Sequence, residues 1–525
     1  MFNRFFVSCA TNLRSICSTT GHAFKKWLPQ MEHPESFTFQ QFTDSEVRTA
    51  LRELKVKKAT GVDGIPSRLL KDGADVFAYP LTVLFNLSVQ QCKIPGEWKK
   101  AKVSPLYKNG AKSDPKHFRP ISVLPVVSKS GFRKEHSTET AVTHFADQIL
   151  MGMDKGLVTG AVFIDLAKAF DTNDHDVLIH KLKHYGVSNE SLLWFKDYFC
   201  SRKQFVTIDS HRSEELDIAC GVPQGSILGP LLFIIYINDL SSCMRSCSVS
   251  MFADDTAIYF AASTVDVVND NINEDLNCLS EWLKDNYLVL NITKTNCILF
   301  CSQRHAERNR ALTVNFFGSC IESVITFKYL GVVFDSHMTW KDQADHVYKK
   351  VAVRVNVLRR IRTFLTEKAA IHVYNGIILA VFDYCVITWS SLLQQDEDRL
   401  QRLQHRAARI ITLSERSSKA MEKFKWSSLN CRRSYHKAIL VYKCLHSLVP
   451  NYFLNYFKKF SNVHSYNTRH KNRLILPKVK YNFGKNTFIF SGVQVYNMLP
   501  DHVMKAESIH TFARLVRIVC NELSY

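Results

Sequence analysis

Two apolar runs that end in carboxylates organise this chain. Residues Val158 to Ile164 are mostly apolar and stop at Asp165, the pattern of a buried strand with an acid at its end. Val249 and Met251, then Ala257, Ile258, Tyr259 and Phe260, flank Asp254-Asp255 and predict a β-hairpin with the acids at its tip. Helices are expected around these strands. Thr43-Asp44-Ser45-Glu46 is a capping box followed by Val47, Leu51 and Leu54 at helical spacing. Val142, Phe145 and Ile149 share one face of an amphipathic helix from Glu139 to Met151, with Met153 one turn on. Leu192, Phe195, Tyr198 and Phe199 mark another helix, and Val268, Ile272, Leu276, Leu279 and Leu283 a third. Leu231 to Tyr236 is hydrophobic all round and predicts a buried helix. Further strands are expected at Val103–Tyr107, Gln204–Ile208 and Cys297–Phe300, with a hairpin from Thr326 to Phe334 bending at Gly331.

Adjacent aspartates repel, so a fold keeps them close where a cation compensates. Asp-Asp alone is also what a polar hairpin turn looks like. The second acidic strand end, Asp165, changes that balance. Brought beside Asp254, it would make a hard, oxygen-only site suited to Mg²⁺, or Mn²⁺ in its place. Paired ions of this kind activate a 3′-hydroxyl and stabilise a leaving pyrophosphate. The chain has no GxxxxGKS/T loop, which argues against an ordinary P-loop nucleotide hydrolase.

In order along the chain, Asp165 and Phe170, then Gly221-Val222-Pro223-Gln224-Gly225-Ser226, then Phe252-Ala253-Asp254-Asp255, resemble the palm of a reverse transcriptase. Phe118-Arg119-Pro120-Ile121-Ser122, Gly131-Phe132-Arg133-Lys134-Glu135-His136-Ser137-Thr138 and Phe327-Lys328-Tyr329-Leu330-Gly331 resemble non-LTR (LINE-type, jockey-like) retrotransposons. Each motif is weak alone; together, in family order, they are specific. The resemblance implies an α+β right-hand polymerase with fingers, an antiparallel palm sheet, a helical thumb and a mainly helical C-terminal region. It divides the chain into a leader (1–42), fingers (43–157), palm (158–300), primer-grip region (301–345), basic thumb (346–420) and C-terminal region (421–525).

The implied activity is RNA-directed DNA synthesis. Its partners would be an RNA template, a DNA primer or target, and deoxynucleoside triphosphates. Asp165, Asp254 and Asp255 would be the catalytic, metal-holding acids. Arg119 would meet the triphosphate, because its fork matches phosphate oxygens in pairs. Phe170 would clash with a ribose 2′-hydroxyl. Gln224 and Gly225 would lie beside the nucleotide and template base, and Lys294 would serve the departing pyrophosphate. Lys328 and Tyr329 belong to the implied primer grip. Arg399, Arg402, Arg406 and Arg409 form a stripe beside Leu400, Leu403, Ala407 and Ile410, as expected of a thumb tracking phosphates. Plainer readings stand beside these: a core Phe170, a surface Lys294, a solvated arginine face.

Composition agrees with a nucleic-acid partner. The 525 residues carry a formal net charge of +20 and are 46% hydrophobic, enough for several packed subdomains. Fifteen cysteines are scattered without a framework. Cys431, His436, Cys444 and His446 are the best cluster, but they fall in helix-like sequence and read as part of a set of reduced thiols. Met1 to Cys17 is broken by Arg4, Asn12 and Arg14, unlike a secretory signal, and the apolar run Ile227–Ile237 is too short to span a bilayer. An intracellular protein, nuclear or cytoplasmic and off the membrane, is expected.

Two departures from the family are expected to matter. Lys129 meets Ser130-Gly131 directly, where the family has a further helical segment of the fingers. The chain also leaves no room for the N-terminal endonuclease that many such elements carry. A retroelement relic that binds nucleic acid without polymerising is therefore the second reading. An RNA-dependent RNA polymerase is a third, opposed by Phe170 and the LINE-like motifs.

Overall fold

The computed structural model describes residues 1–15, 23–31, 36–56, 60–108, 110–123, 136–209, 211–226, 228–306, 311–413, 416–462 and 472–522. The Lys129–Ser130 junction, most of the Gly131–Thr138 motif, Lys57 and Lys58 lie outside the described residues.

The fold is mixed α/β, with two five-stranded sheets and many helices. One sheet contains β1 (Lys100–Tyr107) and β2 (Phe118–Val123) as an antiparallel pair. The other is built on β3 (Val158–Ile164). The first sheet is completed by β4 (Lys203–Ile208), parallel to β1, and two short strands that pair with β4. The second sheet adds β5 (Ser248–Phe252), β6 (Asp255–Ala262), β7 (Asn296–Phe300) and the short β8 (Glu322–Ser323), in the order β8-β7-β3-β6-β5.

All seven residues of β3 are buried, because helices cover both faces of its sheet. Alternate side chains leave by opposite faces. Ala161 and Phe163 join Phe145 and Ile149 of helix α1 (Thr138–Asp154). Val158, Val162 and Ile164 join Val268, Ile272 and Leu276 of helix α2 (Val265–Asp285). Gly160 permits the close approach: a Cβ there would lie 2.6 Å from Val268 Cγ1 and 2.8 Å from Ile272 Cδ1.

The capping box at Thr43 and Glu46 forms, and α1 is capped in the same way by Ser137 and Thr140. The hairpin Thr326–Tyr329 with Val332–Asp335 turns at Leu330 and Gly331, both with positive φ. The helix expected at Leu231–Tyr236 starts earlier, at Leu228, where Ser226 Oγ accepts from the Gly229 N–H at 2.8 Å. It is not buried all round: Leu232, Phe233 and Tyr236 enter the core, but Leu231 is 41% exposed, because a helix laid on one side of a core buries one face. Among the described residues no helix is long and apolar enough to cross a membrane.

The C-terminal region docks on the outer face of α1. Asp147 accepts from the N–H groups of Phe488 (2.7 Å) and Ile489 (3.2 Å). Two turns further on, Asp154 accepts from Lys480 (2.9 Å), Tyr481 (2.7 Å) and Gly484 (3.1 Å). His144 Nδ1 lies 2.8 Å from the Tyr456 hydroxyl. The helix that supports β3 from one side therefore holds the C-terminal region with the other. Tyr466 to His470, in the same region, lie outside the described residues.

Candidate active site

The acids meet at one end of the second sheet. Phe252 pairs with Asp255, so Ala253 and Asp254 form the turn between β5 and β6, with Ala253 at φ +55°. Ile164 pairs with Thr256 at the end of the ladder, so the next residue, Asp165, comes near enough to Asp255 for their charges to interact. The Asp165 turn is clamped from behind: the Asn291 N–H donates to its carbonyl at 2.8 Å, and the Ala167 N–H donates to Val289 O at 2.8 Å. From the same loop Lys294 Nζ stands 3.7 Å from Asp165 Oδ2, both side chains about half exposed.

The charges are coupled. Burial, then the carboxylates of Asp254 and Asp165, push Asp255 up to about 6, while Arg119 and Lys108 pull it back. Lys108 is pushed down, by burial first and then by Arg119 and Lys294, against the pull of Asp165 and Asp254. Both cations come from the other sheet. Lys108 follows β1, its N–H donating to His117 O at 2.9 Å, and Arg119 pairs in β2 with Leu106. Among the described residues no three His, Cys, Asp or Glu side chains converge to hold a metal ion as they stand. The donors are nevertheless hard carboxylate oxygens whose mutual repulsion a divalent cation would relieve, so the set suits Mg²⁺ chemically.

The glycine-rich loop is strapped to its surroundings. The Val222 N–H donates to Phe170 O and the Gly221 N–H to Asn173 O, each at 2.7 Å. The Ser122 N–H of β2 donates to Gln224 O at 2.7 Å, and Gln224 Nε2 donates to Asp171 Oδ1 at 3.1 Å. Burial pushes Asp171 up to about 6, opposed by Lys168 and the Gln224 bond. Gly225 has φ +98°, and a Cβ on it would lie 2.6 Å from Ser122 O. Phe170 stacks on Phe233 with ring centroids 4.5 Å apart.

The remaining sequence-predicted residues are scattered in role. Lys328 is exposed, whereas Tyr329 is 3% exposed, its hydroxyl 3.2 Å from Ser250 Oγ and its ring 5.2 Å from that of Phe163. The four arginines lie on helix α3 (Gln394–Thr412), which packs on helix α4 (Lys341–Ile361). Arg399 pairs with Asp345 and Asp396 and lies over the Tyr348 ring, and Arg406 bonds Asn356, so these two knit the helices together. Arg402 and Arg409 are exposed. Two residues escaped the sequence reading. Neither Lys108 nor Asp171 carries a role assigned from the sequence, since the partners that define them, the distant acids and Gln224, are far away along the chain.

Residues 108–334 match the family described as reverse transcriptase (RNA-dependent DNA polymerase). The chain is 27% identical over 436 residues, 75% of its length, to a probable RNA-directed DNA polymerase from transposon BS of Drosophila melanogaster, covering 47% of that protein. It is 26% identical over 411 residues to the RNA-directed DNA polymerase from mobile element jockey of Drosophila funebris, 70% of this chain and 44% of that one. It is 31% identical over 188 residues to a Pol polyprotein from type-1 retrotransposable element R1 2 of Nasonia vitripennis, 34% of this chain and 45% of that one. The chain thus spans about half the length of the relatives it matches most broadly. Residues 108–334 match a reverse transcriptase domain, and the chain around them is similar to RNA-directed DNA polymerases of the transposable elements named above.

Proposed function

We propose that this chain is an RNA-directed DNA polymerase that extends a primer 3′-hydroxyl on an RNA template. The observation that carries the reading is the meeting of Asp165, Asp254 and Asp255 at one sheet end, faced by Arg119 and Lys108, inside a reverse transcriptase domain. In this reading the fingers (43–157), palm (158–300), primer-grip region (301–345) and thumb (346–420) form a right hand around the template and primer.

Asp165 and Asp254, with Asp255 in support, would hold Mg²⁺ or Mn²⁺, which when bound activates the 3′-hydroxyl and neutralises the leaving pyrophosphate. The protein's own part is positioning and charge. Arg119 and Lys108 bind the triphosphate. Phe170, braced by Phe233, excludes a 2′-hydroxyl. Gln224 and Gly225 set the backbone against the nascent pair. Lys294 donates charge or a proton to the pyrophosphate. Lys328 holds the primer strand from the hairpin that Tyr329 anchors in the core, and Arg402 and Arg409 meet duplex phosphates.

The test is primer extension on a poly(A) RNA template with dTTP and Mg²⁺, beside Asp254→Ala. Extension by the wild-type chain that vanishes in the variant is expected. No extension by either protein, with salt-sensitive RNA binding kept by both, would leave the binding relic as the correct reading.

A further inference from the structure

A second site lies away from the acids, where helix α5 (Leu429–Leu445), helix α6 (Ile509–Glu522) and the turn Lys425–Ser427 meet a short π-helical stretch, Tyr374–Leu379. They enclose a cavity of about 350 Å³. π-Helical turns are uncommon and recur at functional sites. This one brings Tyr374 and Asn375 to the cavity wall, where Tyr374 stacks on Trp426 with centroids 4.0 Å apart and planes 16° apart. Tyr435 provides a second ring, with the Arg517 guanidinium 5.5 Å from its centroid.

The wall carries cations and no carboxylate. Of its three basic residues, Arg432 is neutralised by Asp383 through two bonds of 2.9 and 2.6 Å. Lys425 and Arg517 are exposed and, among the described residues, make no ion pair with an acid. Aromatic faces backed by uncompensated cations select a ligand with a π-face and a negative charge close together. An unpaired nucleotide has both. A duplex hides its base faces and is too wide for this volume, whereas about 300 Å³ and upward suits one small-molecule-sized unit.

We infer that this cavity binds one unpaired nucleotide of a single-stranded nucleic acid, its base against Trp426 and Tyr435 and its phosphate between Lys425 and Arg517. The inference rests on the polymerase reading only in that such a protein handles single strands. It adds a holding point outside the polymerase site.

The test uses the full chain and a 12-nucleotide RNA bearing one 4-thiouridine. Photo-cross-linking followed by peptide mapping is expected to mark the peptides containing Trp426 or Tyr435. Lys425→Glu with Arg517→Glu is expected to weaken binding of that RNA, read by fluorescence anisotropy, about tenfold. The same double variant is expected to extend a short, pre-annealed primer on its template as the wild type does. Cross-links confined to other peptides, or binding by the double variant within twofold of wild type, would overturn the inference, and the wild-type mapping decides the matter even where the variant folds poorly. Competition by an acidic peptide, with no cross-link to RNA, would also overturn it. Loss of extension with Asp165, Asp254 and Asp255 intact, but with the Tyr435 cross-link present, would sink the polymerase reading and leave this site standing.

Discussion

Gln224 reaches back across the glycine-rich loop to donate to Asp171, one residue beyond Phe170, at 3.1 Å. The bond ties the side chain proposed to face the nucleotide to the turn that carries the proposed ribose gate. Asp171 is therefore a positioning residue. Asp171→Ala should lower primer extension about tenfold or more, since a small misplacement of reacting groups is costly. Asp171→Asn should restore most of it, because its amide oxygen still accepts from Gln224. A purely structural role would not distinguish the two variants at equal melting temperature.

Gly225 makes a sharper case. Its φ of +98° disfavours any side chain, and a Cβ would lie 2.6 Å from the Ser122 carbonyl. Gly225→Ala should push the loop off β2, break the bond from Ser122 to Gln224, and reduce extension about 100-fold. The core does not depend on this loop's tip, so circular dichroism should report a folded protein.

Phe170 is braced by Phe233 at 4.5 Å rather than lost in the core, and it is only partly buried. Phe170→Ala should raise incorporation of ribonucleotides relative to deoxynucleotides, measured as the ratio of kcat/KM for UTP and dTTP. An unchanged ratio with lower stability would make it a packing residue alone.

Much of this was legible along the chain. The acidic strand ends, the capping box, the helices over β3 and the turn at Gly331 follow from period, caps and turn residues. What local pattern could not supply was partnership at a distance. Lys108 and Arg119 come to the acids from a different sheet. Tyr329, read as a contact to nucleic acid, has its hydroxyl bonded to Ser250 and its ring in the core. Arg399 and Arg406 share a stripe with Arg402 and Arg409, yet their partners Asp345 and Asn356 lie on another helix. A charged stripe fixes which residues share a face, not which of them a neighbouring helix will claim.

Gly160 tests how tightly β3 is held. A side chain there would meet Val268, Ile272 and Leu312 at 2.6 to 3.0 Å. Gly160→Val should cost about 1–3 kcal/mol of stability by overpacking, read as a lower urea midpoint. Because β3 ends at Asp165, extension should fall even in the fraction that remains folded.

The docking of the C-terminal region should respond to pH through Asp147. Burial pushes this carboxyl from its ordinary 3.8 up to about 7, although the N–H groups of Phe488 and Ile489 and the charge of Lys437 favour its ionised form. Lys437 is itself pushed down to about 8, by burial first and then Arg433, with Glu397 and Asp147 opposing. Asp147 holds its proton more tightly in the folded chain than in the unfolded one. Its stabilising contribution is therefore complete below pH 3.8 and is lost as pH rises through about 7. Lys437 stays charged in both states below its folded value, so it adds little slope in that window. Between about pH 5 and 6.5 the group alone should lower unfolding stability by up to about 1.4 kcal/mol per pH unit. Asp147→Asn cannot ionise and should flatten that part of the profile, measured by thermal melting at pH 5 to 7.5. A wild-type slope that persists unchanged in the variant would show that other groups carry the pH dependence and that Asp147 docks the C-terminal region as a permanently charged cap.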